Sequence, residues 1–360
     1  MSTGVTGVDR PAAPTAPRGA DRPVRRPIRN SNALRMAGLA AGLLVLAGAA
    51  LLSLAVGARA IPPDTVLHVM LHDDGSTARY VVWGLRGPRT LVAVAVGAAL
   101  GVAGALMQAL TRNPLADPGV LGINAGSATA VVIAIGVLGV TSPLTTVWFA
   151  LGGAAVAGTI MFLIASGGRG GASPVRLALS GMAVTAALLG ITQGITLLNT
   201  QTIEQMRFWT VGSLLKADGA TLVRVVPFIV VGTLLALALA RPLNTIALGE
   251  DASRSLGANL ALTRFTGLVA ITLLCGASTA AVGPLMFVGL AVPHMVRTIT
   301  GPDQRWVLPY CVVFTPILLL VADVIGRVVA PEEIDVGVVT AVIGAPVFIA
   351  LVRRARVPAL

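Results

Sequence analysis

A chain of 360 residues that is 55% hydrophobic and 11% charged carries under half the charge of a soluble globular domain, where about 25% of residues are ionised; its mean hydropathy of +0.87 agrees. The net charge of +11 does not point to nucleic acid, because the basic residues sit between apolar segments and in the N-terminal stretch, as residues flanking membrane helices do. Cys275 and Cys311 both lie inside apolar segments and supply neither a disulfide framework nor a zinc pattern.

Residues 1–35 are rich in Pro, Ala and Arg, including Arg22, Arg25, Arg26, Arg29 and Arg35, and show no apolar period. Such a stretch cannot bury enough surface to offset its ordering entropy, so a disordered basic tail is expected there, ahead of a membrane domain over 36–356. The uncharged run 37–57 is full spanning length, about 20 residues. It reads as an uncleaved first helix rather than a signal peptide. Between it and the second helix, His68 and His72 stand one turn apart beside Asp73 and Asp74. That spacing suits a metal, but without the glutamate of the metalloprotease motif a solvated surface helix is the better reading, and no metal site is expected.

Spanning segments follow at 90–111, 119–140, 146–166, 177–199, 221–240, 263–283, 285–299, 306–326 and 336–352. Residues 118–168 hold no charge, enough for two crossings and a turn. Residues 265–296 are also uncharged, short for two helices and long for one. Gly283-Pro284 marks a break there, since proline removes a backbone donor and clashes with the preceding turn. Glycines at three- and four-residue spacing, Gly97, Gly101 and Gly104 and then Gly122 and Gly126, predict closely approaching helices.

Charge sets the parity. If the N-terminal tail and Arg353, Arg354 and Arg356 are both cytoplasmic, the number of crossings is even, and ten crossings put 18 of the 26 basic residues inside and 8 outside, as the positive-inside rule requires. The single lysine, Lys216, follows no glycine-rich loop, so the chain has no P-loop with which to hydrolyse ATP. An ion-coupled carrier would place an acid in mid-membrane. The only acid within a segment is Asp323, near one end and four residues before Arg327, where the two pair along one helix face. A membrane-embedded enzyme would need a polar cluster shared by several helices, and none is visible.

The stretches Arg86-Gly-Pro-Arg89-Thr-Leu, Val96-Gly-Ala-Ala-Leu-Gly-Val-Ala-Gly-Ala-Leu-Met-Gln108 and Arg112-Asn-Pro-Leu-Ala-Asp-Pro118 resemble the FecCD family of ABC importer permeases, which includes the cobalamin permease BtuC and ferric-siderophore permeases. So do Leu248-Gly-Glu-Asp-Ala-Ser-Arg-Ser-Leu-Gly257, Phe287-Val-Gly-Leu-Ala-Val-Pro-His-Met-Val-Arg297, Ala322-Asp-Val-Ile-Gly-Arg327 and Val336-Gly-Val-Val-Thr-Ala-Val-Ile-Gly-Ala-Pro-Val-Phe348. The resemblance covers residues 60–355 and implies an all-α, ten-helix type II importer permease. Such a subunit binds no cofactor and does no chemistry. It pairs with a second permease, identical or paralogous, with two ATPases on the cytoplasmic side and with an extracytoplasmic substrate-binding protein.

By the same resemblance, Arg86, Arg89 and Arg327 on the outer side meet acidic residues of the binding protein. An arginine fork suits carboxylates, although snorkelling to the interface is the plainer alternative. Asn113, Pro114 and Leu115, with Ser173, are implied as a cytoplasmic gate. Residues 243–261 are implied as the segment that couples to the ATPase, through Leu248, Gly249, Glu250, Asp251, Ala252, Arg254, Leu256 and Gly257. Independently, Leu248, Ala252 and Leu256 recur at four-residue spacing, so a short amphipathic helix is expected, punctuated by Gly249 and Gly257. The implied cargo is a ferric siderophore, with cobalamin or haem as the alternatives. Aromatic residues, 4% of the chain, offer no stacking platform for a macrocycle.

Overall fold

A computed structural model describes residues 32–57, 60–140, 142–167, 173–198, 210–215, 217–330 and 332–354. The described residues form helices and connections without a strand. In chain order they are α1 (Asn32–Ala55), α2 (Pro63–Leu71), α3 (Thr77–Thr111), α4 (Ile123–Gly136), α5 (Pro143–Ser166), α6 (Pro174–Leu198), α7 (Gly219–Ala238), α8 (Ala240–Ile246), α9 (Glu250–Ser255), α10 (Leu260–Val282), α11 (Val288–Thr300), α12 (Gln304–Val328) and α13 (Val336–Arg354). Seven of them, α1, α3, α5, α6, α7, α10 and α12, are long and apolar enough to cross a membrane. With the shorter α4, α11 and α13 they match the ten predicted segments in order.

α1 begins at Asn32, five residues before the predicted start; residues 1–31 of the expected tail lie outside the described residues. The break predicted at Gly283-Pro284 is present. α10 stops at Val282, Gly283 adopts φ +76°, and α11 resumes only after Phe287, itself left-handed at φ +66°. α11 therefore starts part-way through the bundle, with Gly289 against Leu100 and Gly104 in the middle of α3.

Apolar burial cannot hold helices together in lipid, because the tails are as apolar as leucine; van der Waals contact between closely set backbones does so instead. α3 is the central helix, and its small residues admit its neighbours. A Cβ on Gly97 would stand 2.7 Å from the Pro316 Cα of α12, and one on Gly104 would collide with the Gly289 carbonyl of α11. Gly126 of α4 and Gly153 of α5 each face the other's carbonyl in the same way. The predicted small-residue crossings are thus real contacts. Cys275 and Cys311 are both buried in this core.

Candidate functional site: an arginine cluster at one end and an elbow at the other

α3 and α12 run antiparallel through the bundle, so the start of α3 and the end of α12 meet at one end. The first turns of α3 are wound as a π-helix over Tyr80–Arg86. Such a segment inserts one residue into the helical register and re-aims the side chains around it. Arg86 closes it and turns toward the end of α1, donating from Nη1 to the carbonyls of Leu54 at 2.8 Å and Ala55 at 2.9 Å. Arg327 of α12 reaches the same helix end, donating to the carbonyls of Ser53 at 2.8 Å and Val56 at 3.2 Å. α1 has no basic residue in its own last turn. Its terminal carbonyls, which no intrahelical donor can satisfy, are capped by cations from two other helices, the sign its macrodipole favours.

Arg89 sits one turn further along α3 and is held by two carboxylates. Its Nε and Nη2 donate to Asp323 Oδ1 at 3.1 and 2.8 Å, and its Nη1 donates to Glu333 Oε2 at 2.7 Å. The other Asp323 oxygen accepts from Arg327 Nη2, the i,i+4 pair expected from the sequence. Asp323 is 1% exposed, so it bridges two guanidinium groups away from solvent. Ser53 joins the cluster through its hydroxyl, which bonds Thr90 Oγ1 at 2.8 Å and accepts from Arg327 at 3.1 Å. Arg86, Arg89, Arg327 and Glu333, with Leu215, Ala217 and Asp218, line a cavity of about 520 Å³. Asp218 also caps α7, accepting from the Thr221 amide at 2.7 Å.

A larger cavity of about 730 Å³ lies between α4, α5 and α6. Its walls include Ile133, Trp148, Val156, Ile160 and Leu188. The hydroxyl of Thr129 in that wall already bonds Ala125 O and Leu188 O.

At the opposite end, α3 finishes in Arg112, left-handed at φ +49°. Asn113 then folds the chain back. Its side-chain oxygen accepts from the Leu115 amide at 2.9 Å and its carbonyl accepts from Ala116 at 3.1 Å, while Pro114 prevents the helix from continuing. Asn113 is exposed, and Pro114 and Leu115 are half-buried. Ser173 precedes α6 and caps it, with its hydroxyl 3.3 Å from the Arg176 amide. The neighbouring Ala172 lies outside the described residues.

At the same end α8 and α9 form an elbow. Gly249, at φ +109°, takes a backbone conformation nearly restricted to glycine, and Gly257 follows at φ +77°, so the predicted punctuation is present. The buried Ser253 hydroxyl closes the elbow by donating to Thr245 O at 2.8 Å and to Gly249 O. Leu248 and Leu256 are 67% and 65% exposed, and Asp251, Ala252 and Arg254 are exposed with them. The elbow is fastened to α12: Asn244 donates to Asp303 Oδ1 at 2.6 Å and accepts from the Gln304 amide at 2.9 Å.

His68 and His72 lie at the end of α2, stacked with ring centroids 5.0 Å apart. No group of three or more metal-capable side chains occurs among the described residues, and both rings are exposed. Sequence reasoning missed Glu333, Ser53, Asn244 and Ser253. Glu333, Ser53 and Asn244 carried no local signal, since their partners lie 244, 37 and 59 residues away; Ser253 bonds within the elbow, eight and four residues back.

A multi-pass membrane bundle, with a charged cluster at one end and an exposed elbow at the other joined by one continuous helix, has the build of a transporter's membrane subunit. Residues 43–354 match the FecCD transport family. The chain is 49% identical over 313 residues to the ferric enterobactin transport system permease protein FepD of Escherichia coli, covering 87% of this chain and 93% of that one. It is 44% identical to the Fe(3+)-citrate import system permease protein YfmD of Bacillus subtilis, over 85% and 91% of the two chains. Among solved structures, a metal-chelate type ABC transporter in an inward-facing conformation superposes with a TM-score of 0.79 at 25% identity, over 89% of this chain and 99% of the other. The chain belongs to the FecCD transport family. It is a membrane permease and not an enzyme.

Proposed function

We propose that this chain is the translocating subunit of an ATP-driven importer that carries ferric siderophores across the bacterial cytoplasmic membrane by alternating access. The near full-length similarity to the ferric enterobactin permease carries this reading. The arginine cluster is the outer end, where Arg86, Arg89 and Arg327 receive an acidic face of the extracytoplasmic binding protein. The elbow is the inner end, and both termini are cytoplasmic.

Two ATPases engage the elbow from below. Its Leu248 and Leu256 are exposed apolar side chains, and a cleft on an ATPase would cover them. Asn113, Pro114, Leu115 and Ser173 form the inner gate, and a second permease subunit, the same chain or a paralogue, completes the pathway. α12 supplies the mechanical link. Its first residues are tied to the elbow through Asn244, and Asp323 and Arg327 lie about 29 and 35 Å further along at about 1.5 Å per residue.

The test is uptake of radiolabelled ferric enterobactin, ferric citrate, haemin and cobalamin by cells with and without the gene, with redundant permeases deleted. Loss of ferric-siderophore uptake alone is expected. Loss of haemin or cobalamin uptake alone would retain the importer and replace its cargo. Uptake that persists when the partner ATPase is inactivated would point to an ion-coupled carrier and refute the reading.

A further inference from the structure

The arginine cluster contains two carboxylates with unequal commitments. Asp323 uses both oxygens, one for Arg89 and one for Arg327, and is 1% exposed. Removing it would take a shared carboxylate from two buried cations. Glu333 makes one ion pair, with Arg89 Nη1, and its side chain is 29% exposed on the wall of the cavity. A hydrogen bond held by one oxygen and open to water exchanges far more readily than a buried bridge. The same cavity wall presents Arg86, Arg89 and Arg327 to whatever enters it.

We infer that Glu333 is a built-in counter-ion that holds the place of a partner's carboxylate on Arg89, and that docking of the binding protein displaces it. This rests on the proposed docking role of the cluster and adds a regulatory step to it. The other described charges that line the cavity have commitments of their own. Arg86 and Arg327 are spent on the end of α1, Asp323 bridges Arg327 to Arg89, and Asp218 is spent on the cap of α7. The Glu333–Arg89 pair is the one that can exchange without uncapping a helix. Swapping one carboxylate for another leaves the number of ion pairs unchanged, so the exchange is cheap for an acidic partner and closed to a neutral one.

The exchange also has a mechanical consequence. Glu333 lies in the short connection from α12 to α13, three residues before α13 starts. Once it is released, that connection keeps the bond from the Ile334 amide to Gly326 O and the one from the Gly337 amide to Gly212 O, both 2.9 Å. α13 packs Gly344 against Phe287 at the break before α11. Docking outside would therefore loosen the start of a helix that reaches the middle of the bundle.

The experiment uses the permease with its ATPase in nanodiscs. The probe is the chelate-loaded binding protein of the same uptake system, and affinity is measured for the wild type, Glu333→Gln and Arg89→Ala. Glu333→Gln removes the competitor and tightens docking about fivefold, the scale of a part-exposed ion pair. Hydrogen exchange at the first amides of α13, which docking raises in the wild type, is already raised in this variant. Glu333→Asp, too short to reach Arg89, shifts both readouts the same way and serves if the glutamine variant folds poorly. Unchanged or weaker docking in the Glu333 variants, with docking still lost in Arg89→Ala, would overturn the counter-ion and leave the docking role standing. Docking untouched by all three variants would remove the docking role of Arg89, and the counter-ion with it.

Discussion

Replacing Asp323 with asparagine keeps the side chain's size and removes its charge. In the native cluster its two oxygens serve Arg89 and Arg327, and it is 1% exposed. Breaking a buried ion pair by removing one partner costs about 3–5 kcal/mol, because the surviving charge is left uncompensated. Here two cations survive, but each keeps other acceptors: Glu333 for Arg89, and the Ser53 and Val56 carbonyls for Arg327. The loss should therefore fall near the lower limit, about 3 kcal/mol. Unfolding of the purified permease in mixed micelles, titrated with sodium dodecyl sulfate, reads this directly. Arg327→Met should cost a similar amount, and the double variant clearly less than both together, with a coupling of about 1–3 kcal/mol as for residues in one network. Additivity within about 0.5 kcal/mol would mean that the two residues do not share the bridge, and the account of the cluster would fail.

Gly104→Ala drives a Cβ into the Gly289 carbonyl and should cost about 3 kcal/mol, whereas Gly152→Ala, with no atom within 4 Å of the new Cβ, should stay within about 0.5 kcal/mol; thermal unfolding of the two variants compares them. Asn244→Ala cuts both bonds between the elbow and α12, a loosening of about 1–2 kcal/mol, and should lower transport per ATP hydrolysed about tenfold while hydrolysis itself continues. Burial pushes the Asp218 carboxyl up, but its bonds to the Thr221 hydroxyl and amide, with Arg224 nearby, hold it below the ordinary carboxylate range. A depressed folded pKa gives stability that is present above the unfolded value and lost as pH falls through the folded one. Amide exchange in the first turn of α7 should thus stay slow through the range where a free aspartate titrates and rise only below it, and Asp218→Asn should abolish that rise.

The features that could be read in advance are those decided within a turn or two of chain. Spanning lengths follow from uninterrupted apolar runs, and the break before α11 follows from Gly283-Pro284. The fold after Thr111 follows from Asn113-Pro114, and the Asp323–Arg327 pair from a four-residue step along one helix. In each case the cause and its effect lie within hydrogen-bonding reach of each other in the sequence. The elbow was legible as a unit, punctuated by Gly249 and Gly257, for the same reason.

Only the tertiary structure decided which helices stand together, and with them the contacts between helices that make the two ends. Hydropathy cannot assign neighbours in lipid, because each face of a spanning helix is apolar whether it meets a helix or an acyl chain. That Glu333 reaches Arg89, that Arg86 and Arg327 cap α1, and that Asn244 ties the elbow to α12 all depend on packing between helices far apart in the chain. The charges at this end were visible in the sequence as arginines flanking apolar segments; their partners were set by the close approach of α1, α3 and α12, which brings buried cations to the oxygens that neutralise them.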